Sequence, residues 1–461
     1  MTLAEDLNST SAQPPRQGLR WLGLIIVFGL AAAGFYFWHD HVLEERPLGP
    51  QHQALKLASQ RAGATDLKVN PLSDGGLLID GRLAGRQFAL RIPSSWNHQG
   101  VVFAHGYSTP GTSIAIPKDP FTADGIGMFA YLYGRGFAVG ESAFDKSGIG
   151  VESGVYNTLR LKEFIDRLGA TRVYLTGGSM GGNITMALIE QHPHVFAGAL
   201  SACGVVDGWP SEIGYLVDLR ASYNYFTEDT PYALPGNHDL ATSALSALPP
   251  RHLPFLTPIY QLVQIKRISS PILALFAAAK AHPDGLEAHL IDKIAASSGS
   301  PAEVASFLFP LLTIGLGMDD INETYGGLVY GNDKRVYRIP SFSDQENAAL
   351  NRSVQRIHAD PQAVANAAVW HQSTGTFVTP LVTLHNQVDS LVPNAQEEAL
   401  RASVDRSANM AHLLQRTVPP LTMTIPTTSV KGIAHCGFTP QQVSSAWQDL
   451  QNWVESGQKP Q

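Results

Sequence analysis

The sequence predicts an α/β fold: a mostly parallel sheet with helices on both faces and a large, mainly helical cap inserted into it. Three observations carry this. Short apolar runs alternate with amphipathic helical stretches over residues 76–204, as they do when crossover helices join parallel strands. The same alternation returns over residues 376–456. Between them, residues 205–375 lose it and become rich in Pro, Ala, Leu and His, with helical stretches at 254–265, 272–281, 286–296 and 302–312.

At the amino end, residues 1–20 are polar, contain Pro14-Pro15, and read as a disordered tail. Residues 21–38 are uncharged and apolar. As a helix they span about 27 Å, enough to cross a bilayer core, so one N-terminal transmembrane helix is expected ahead of the α/β unit. Trp21, Tyr36 and Trp38 supply interfacial aromatics, and Arg16 and Arg20 precede the run while Asp40, Glu44, Glu45 and Arg46 follow it. That flanking predicts an inside tail and a periplasmic or extracellular α/β unit. A cleaved signal peptide, with Ala31-Ala32-Ala33 as its small-residue site, is the alternative and would leave the chain secreted. Residues 39–75 read as a polar linker with a weak helical pattern at 53–61.

From Gly76 the first half of the core begins, with strands expected at 77–83 and 86–93 around a turn at Gly85. Residues 100–104 form an apolar strand ending in His105-Gly106-Tyr107-Ser108, a helix is expected over 121–135, and a strand over 136–140. Val155, Leu159, Leu161, Ile165 and Leu168 mark one face of an amphipathic helix. It leads into Val173-Tyr174-Leu175, which reads as a buried strand. Residues 195–202 read as another. After the cap come a strand at 380–385, a helix at 395–413, a strand at 421–430 and a closing helix at 441–454.

With 461 residues, 44% hydrophobic and 15% charged, the chain can bury a large core. A net charge of −7 argues against a nucleic-acid partner, which needs a basic face. Two cysteines exclude a cysteine-rich scaffold and a four-cysteine zinc site. Neither His192-Pro193-His194, which reads as a solvated turn, nor Gly134-Arg135-Gly136, which precedes a strand instead of following one, signals a metal or dinucleotide. No cofactor is expected.

The stretch that carries chemistry is Gly177-Gly178-Ser179-Met180-Gly181. It fits the G-x-S-x-G nucleophile elbow, and it has the required strand before it and helix after it. A serine hydroxyl needs a base to take its proton, and that base needs an orienting acid. Asp389, in the loop after the strand at 380–385, and His435, in Lys431-Gly432-Ile433-Ala434-His435-Cys436-Gly437-Phe438, follow in the order Ser, Asp, His. Both fall at carboxyl ends of strands, where open α/β sheets bind ligands. Taken singly, Asp389 could be a helix-capping aspartate and His435 one of sixteen histidines without a special role. His385 sits too early for the base, and Asp405 falls inside a helix pattern. The backbone amides of Met180, just after the serine, and Tyr107, in the turn after the strand at 100–104, are the candidate oxyanion donors.

Together these residues resemble the α/β-hydrolase superfamily over about residues 76–204 and 376–456. Pro93-Ser94-Ser95-Trp96-Asn97 and Ala434-His435-Cys436-Gly437-Phe438-Thr439-Pro440 are similar to bacterial secreted or envelope esterase-like hydrolases of the prolyl-oligopeptidase-type branch. They are also similar to tannase and feruloyl-esterase relatives, in which a cysteine follows the catalytic histidine. Those relatives carry a second cysteine immediately before the serine, where this chain has Gly178. The resemblance implies a serine hydrolase cleaving a small-molecule ester or acyl substrate through an acyl-enzyme. A peptidase or acyltransferase on the same residues is the alternative within enzymes, and a non-catalytic binding protein is the alternative outside them. Cys203 and Cys436 are both expected near the site. An exported chain would favour a disulfide between them; two reduced cysteines packed as small apolar groups is the other reading, and both stand open.

Overall fold

The computed structural model describes residues 48–123 and 127–461. The expected tail at 1–20 and membrane helix at 21–38 lie outside the described residues. Nine strands form one sheet in the order β1 (Thr65–Pro71), β2 (Leu77–Leu83), β3 (Arg86–Ile92), β5 (Ala138–Ser142), β4 (Gln99–Ala104), β6 (Arg172–Gly178), β7 (Ala199–Ala202), β8 (Leu381–Asn386) and β9 (Leu413–Val418). The three pairings from β1 through β3 to β5 are antiparallel; every pairing from β5 onward is parallel. Residues Gln51–Gln461 make one compact unit.

Strand alternation divides the core into two layers. On β6, Val173 and Leu175 face the helices Val151–Arg167 and Met180–Gln191, while Tyr174 faces the closing helix Pro440–Ser456. Adjacent side chains on a strand point to opposite faces, so a three-residue apolar run serves both layers. The second layer is aromatic: Trp447 is fully buried and lies 5.1 Å from the Tyr174 ring and 5.5 Å from Phe137. A capping box of Thr439 and Gln442, with Pro440 at the first helical position, sets where that closing helix starts.

Between β7 and β8 the chain leaves the sheet as a mainly helical cap. Its helices Trp209–Thr227, Thr257–Ala281, Leu286–Ser298 and Val304–Tyr325 pack around their own apolar cluster, which includes Leu219, Ile268, Ile272, Leu275, Ile294 and Phe307. Among the described residues, two helical stretches are long and apolar enough to cross a membrane, Pro254–Ala281 and Val304–Tyr325. The second is mostly buried inside the protein.

Several elements differ from expectation. Within the stretch read as linker, the helical pattern at 53–61 belongs to a helix, Pro50–Arg61, but Thr65–Pro71 is an unexpected sheet strand, paired with β2. The polar sequence of β1 reflects its place at the sheet edge, where little of it is buried. The strand expected at 195–202 is assigned only from Ala199, although the Ala197 amide already donates to the Val173 carbonyl. Two helical stretches at 254–265 and 272–281 are one helix running through Pro271. The last sheet strand is β9, not residues 421–430. The helix expected over 395–413 ends at Arg406 and its last residue, Leu413, opens the buried start of β9, whereas residues 421–430 supply only Thr422–Thr424, in a small ribbon with Lys431–Ile433. Pro419-Pro420 precede that second region and Pro426 interrupts it, and proline cannot donate to a ladder.

Candidate active site

The turn after β6 explains its own glycines. A Cβ on Gly177 would stand 2.1 Å from the Gly181 carbonyl oxygen, and one on Gly181 would stand 1.9 Å from that of Ala104. Backbone therefore packs on backbone at both positions, and only glycine fits. Gly178 differs: its nearest neighbour would be 3.7 Å away, an ordinary contact. Ser179 takes the strain, with φ 56° and ψ −122°. Such a conformation costs about 1–3 kcal/mol and persists only where the surroundings over-determine it. Here the Ser179 amide donates to Ala202, and its carbonyl accepts from Gly182 and Val205.

His435 bridges the other two candidates. Its Nε2 lies 2.9 Å from Ser179 Oγ and its Nδ1 lies 2.7 Å from Asp389 Oδ1. Asp389 is buried, and its oxygens also accept from the amides of Leu391, Val392 and Cys436 at 2.9, 3.0 and 2.9 Å. Burial alone would raise this carboxyl; the His435 charge and hydrogen bond, with the Cys436 amide, outweigh it and hold the group below its ordinary range. An ionised Asp389 only accepts, so Nδ1 donates to it. A neutral His435 is then left with Nε2 as the acceptor facing the serine hydroxyl.

Met180 follows the serine directly, and the residue before Tyr107 approaches it. Met180 is the first residue of its helix, where an amide has no intrahelical partner and the helix dipole is positive. Gly106, next to Tyr107, approaches so closely that a Cβ on it would sit 3.5 Å from the Ser179 Cβ. The Tyr107 phenol turns the other way, toward Gly317 of the cap, and burial raises its pKa.

Cys203 and Cys436 form a disulfide with Cα atoms 5.2 Å apart. It ties the residue after β7 to the residue after His435, so the loop bearing the candidate base is fastened beside the elbow. Gly178 pairs with Ala202 across β6 and β7, and the covalent link thus comes from the neighbouring strand. Sulfur and nitrogen atoms of Cys203, His435 and Cys436 cluster within 4.8 Å. With both thiols oxidised and both ring nitrogens of His435 engaged, the cluster lacks the thiolates that would make it a metal site.

Of the rivals, His385 is wholly buried and its Nδ1 lies 2.9 Å from the Asn386 carbonyl oxygen, while Asp405 is exposed on the helix Ala395–Arg406. Several supporting residues carried no sequence signal. Asn386 donates to the Gly437 carbonyl and steadies the His435 loop. Glu303 caps the helix Val304–Tyr325 through the Ser306 amide and also accepts from the Ile433 amide, joining cap to loop. His105 stacks on Phe144 with ring centroids 3.7 Å apart, and burial lowers its pKa. Glu212, in the first turn of Trp209–Thr227, is fully enclosed. Burial, and then the nearby Asp389 charge, raise its carboxyl well above the ordinary carboxylate range. Each becomes visible only when distant segments meet.

The pattern of the prolyl oligopeptidase family matches residues 159–212, which span the elbow. No curated protein matches the chain. Among solved structures, feruloyl esterase B from Aspergillus oryzae is 12% identical, over 89% of this chain and 91% of that one, with a TM-score of 0.45. An esterase from Aspergillus oryzae is 14% identical over 84% and 80%, with a TM-score of 0.40. The rice cell wall degrading esterase of Xanthomonas oryzae is 14% identical over 80% and 88%, with a TM-score of 0.37. By its sheet order, its strained serine turn between β6 and a helix, and its helical insertion after β7, the chain is an α/β-hydrolase-fold protein, with the prolyl oligopeptidase family pattern matching it over residues 159–212.

Proposed function

We propose that the chain is a serine hydrolase that cleaves an ester through an acyl-enzyme. The observation that supports this most strongly is the continuous chain from Ser179 Oγ through His435 to Asp389, at 2.9 and 2.7 Å. In this reading Ser179 Oγ attacks the carbonyl carbon while His435 Nε2 takes its proton. The oxygen that becomes negative receives hydrogen bonds from the Met180 and Tyr107 amides. The carbon–oxygen bond then breaks, and His435 returns the proton to the departing alcohol. Water, deprotonated by the same nitrogen, releases the acid and restores the serine. Asp389 holds the His435 tautomer and stabilises the imidazolium that forms in each step.

A peptide substrate is the second reading, favoured by the family match at residues 159–212. The disulfide fits an exported catalytic unit, as the flanks of residues 21–38 do, because disulfides persist in oxidising compartments. A fluorophosphonate probe should label the chain at Ser179, and Ser179→Ala should lose labelling and on the order of 10⁴ or more in turnover. A panel of p-nitrophenyl esters and peptide nitroanilides separates the two substrate classes. Unlabelled Ser179 in folded protein would reject the hydrolase reading altogether.

A further inference from the structure

The helix Thr257–Ala281 is built inside out over its first turns. Gln261 and Gln264 are buried, whereas Ile259, Leu262 and Val263 are 66%, 58% and 50% exposed. Phe255, in the short turn before it, is 73% exposed, and Leu248 is 49% exposed. Residues 255, 259, 262, 263 and 266 fall on one helical face, so the apolar groups make a stripe. The buried glutamines are used: Gln261 donates to the Pro110 carbonyl at 2.8 Å, and Gln264 accepts from Arg267. Further along, the pattern returns to normal, with Ile268, Ile272 and Leu275 packed into the cap. Only the first turns therefore turn apolar groups outward. Each large aliphatic side chain left in water forgoes about 1.5–3 kcal/mol of burial, and clustered exposure of this kind marks an interaction surface.

Charge says what the surface meets. No Asp or Glu occurs between Asp239 and Asp284, in a chain whose net charge is −7. The same stretch holds Arg251, Lys266, Arg267 and Lys280, all exposed. An apolar stripe on a segment that carries cations and no carboxylate matches acyl chains beneath anionic headgroups. A second copy fits less well. Stable protein interfaces use about 20–30 residues a side, and a two-fold contact here would set cations against cations. Position agrees as well. The uncharged run at residues 21–38 ends ten residues before Leu48. A chain anchored there has a reach of about 35 Å to its first described residue, so the folded unit would stay beside the bilayer.

We propose that the outward face of Phe255, Ile259, Leu262 and Val263, bordered by Arg251, Lys266 and Arg267, docks on the surface of an anionic lipid bilayer. The surface adjoins the loop that carries Tyr107. Gln261 holds that loop at Pro110, and Leu248 packs so tightly over Gly111 that a Cβ there would stand 2.0 Å from it. Docking thus sets lipid against the cap segment that holds the loop after Tyr107. This inference does not depend on which bond the serine attacks.

The test uses the full chain in phosphatidylcholine vesicles, with and without phosphatidylglycerol, doped with a phospholipid bearing a diazirine in its acyl chain. After irradiation, adducts are mapped by mass spectrometry. Adducts on residues 248–265, besides any on 21–38, and more of them with anionic lipid, are expected. Lys266→Gln with Arg267→Gln should lower the labelled fraction of that stretch about tenfold or more at low salt. Ile259→Ser with Leu262→Ser and Val263→Ser should remove its adducts without changing the melting temperature. Adducts confined to 21–38 would overturn the proposal. So would chemical cross-links from 254–263 to a second copy, or to residues 21–38, in place of lipid adducts.

Discussion

Replacing both cysteines, Cys203→Ser with Cys436→Ser, tests whether the disulfide merely stabilises the fold or also holds the candidate base. The bond closes a loop with a sequence separation of 233 residues. In the chain-entropy model a loop of that size gives about 5.5 kcal/mol at 25 °C, an upper figure because native-state adjustment reduces it. A unit of some four hundred residues unfolds with an entropy of about 0.8 kcal/mol/K, so the loss corresponds to at most about 6–7 °C in melting temperature. Activity should fall further than stability explains. Cys203 and Cys436 both sit at positive φ, 46° and 56°, in conformations that the cross-link helps to hold. Once released, the His435 loop keeps its hydrogen bonds to Asp389, Asn386 and Glu303. A displacement of about 1 Å at the base costs on the order of 10²-fold in rate. The assay is kcat/KM on a soluble p-nitrophenyl ester at a temperature well below unfolding, beside a thermal melt of the same preparation. A variant that melts as the parent does and keeps its kcat/KM would refute the reasoning on both counts.

Three further perturbations separate the parts of the site. Asp389→Asn should lower kcat on the order of 10⁴-fold and Asp405→Asn hardly at all, because only the former accepts from His435; equal losses on one ester would reject the assignment. Gly181→Ala should prevent the elbow from forming, since its Cβ would meet backbone at 1.9 Å, whereas Gly178→Ala should fold and turn over normally; the order of their soluble yields checks this. Burial raises Glu141 to about 8, well above the ordinary carboxylate, and its Oε1 has no hydrogen-bond partner. The folded state then binds more protons than the unfolded one between about pH 4.5 and 8, so stability falls as pH rises through that window. Glu141→Gln should flatten that fall in urea unfolding across the same range, and an unchanged slope would count against a buried neutral Glu141.

The elbow was legible in the sequence because its constraints are local. Val173, Tyr174 and Leu175 form a two-sided buried strand, and Gly177 is required by Gly181 four residues on, although Gly181 is required by Ala104 on the neighbouring strand β4. The place of Asp389 was legible for a related reason, since a loop after a parallel strand, here β8, falls on one edge of the sheet, whereas His435 follows the small ribbon strand Lys431–Ile433 and not the sheet strand expected before it. Sequence periodicity failed where tertiary context overrides propensity. The edge strand Thr65–Pro71 is too polar to read as buried, and β9 begins with Leu413-Leu414, which continued a helical pattern. Spacing alone left the cysteines open between a bond and two thiols; only the meeting of β7's end with the His435 loop, across 233 residues, brings Cys203 and Cys436 to 5.2 Å. The same holds for the hydrogen bonds of Glu303, Asn386 and Gln261, and for the outward face of Ile259, Leu262 and Val263. Local sequence determines which backbone shapes are affordable, whereas long-range packing decides which side chains are buried, paired or left facing outward.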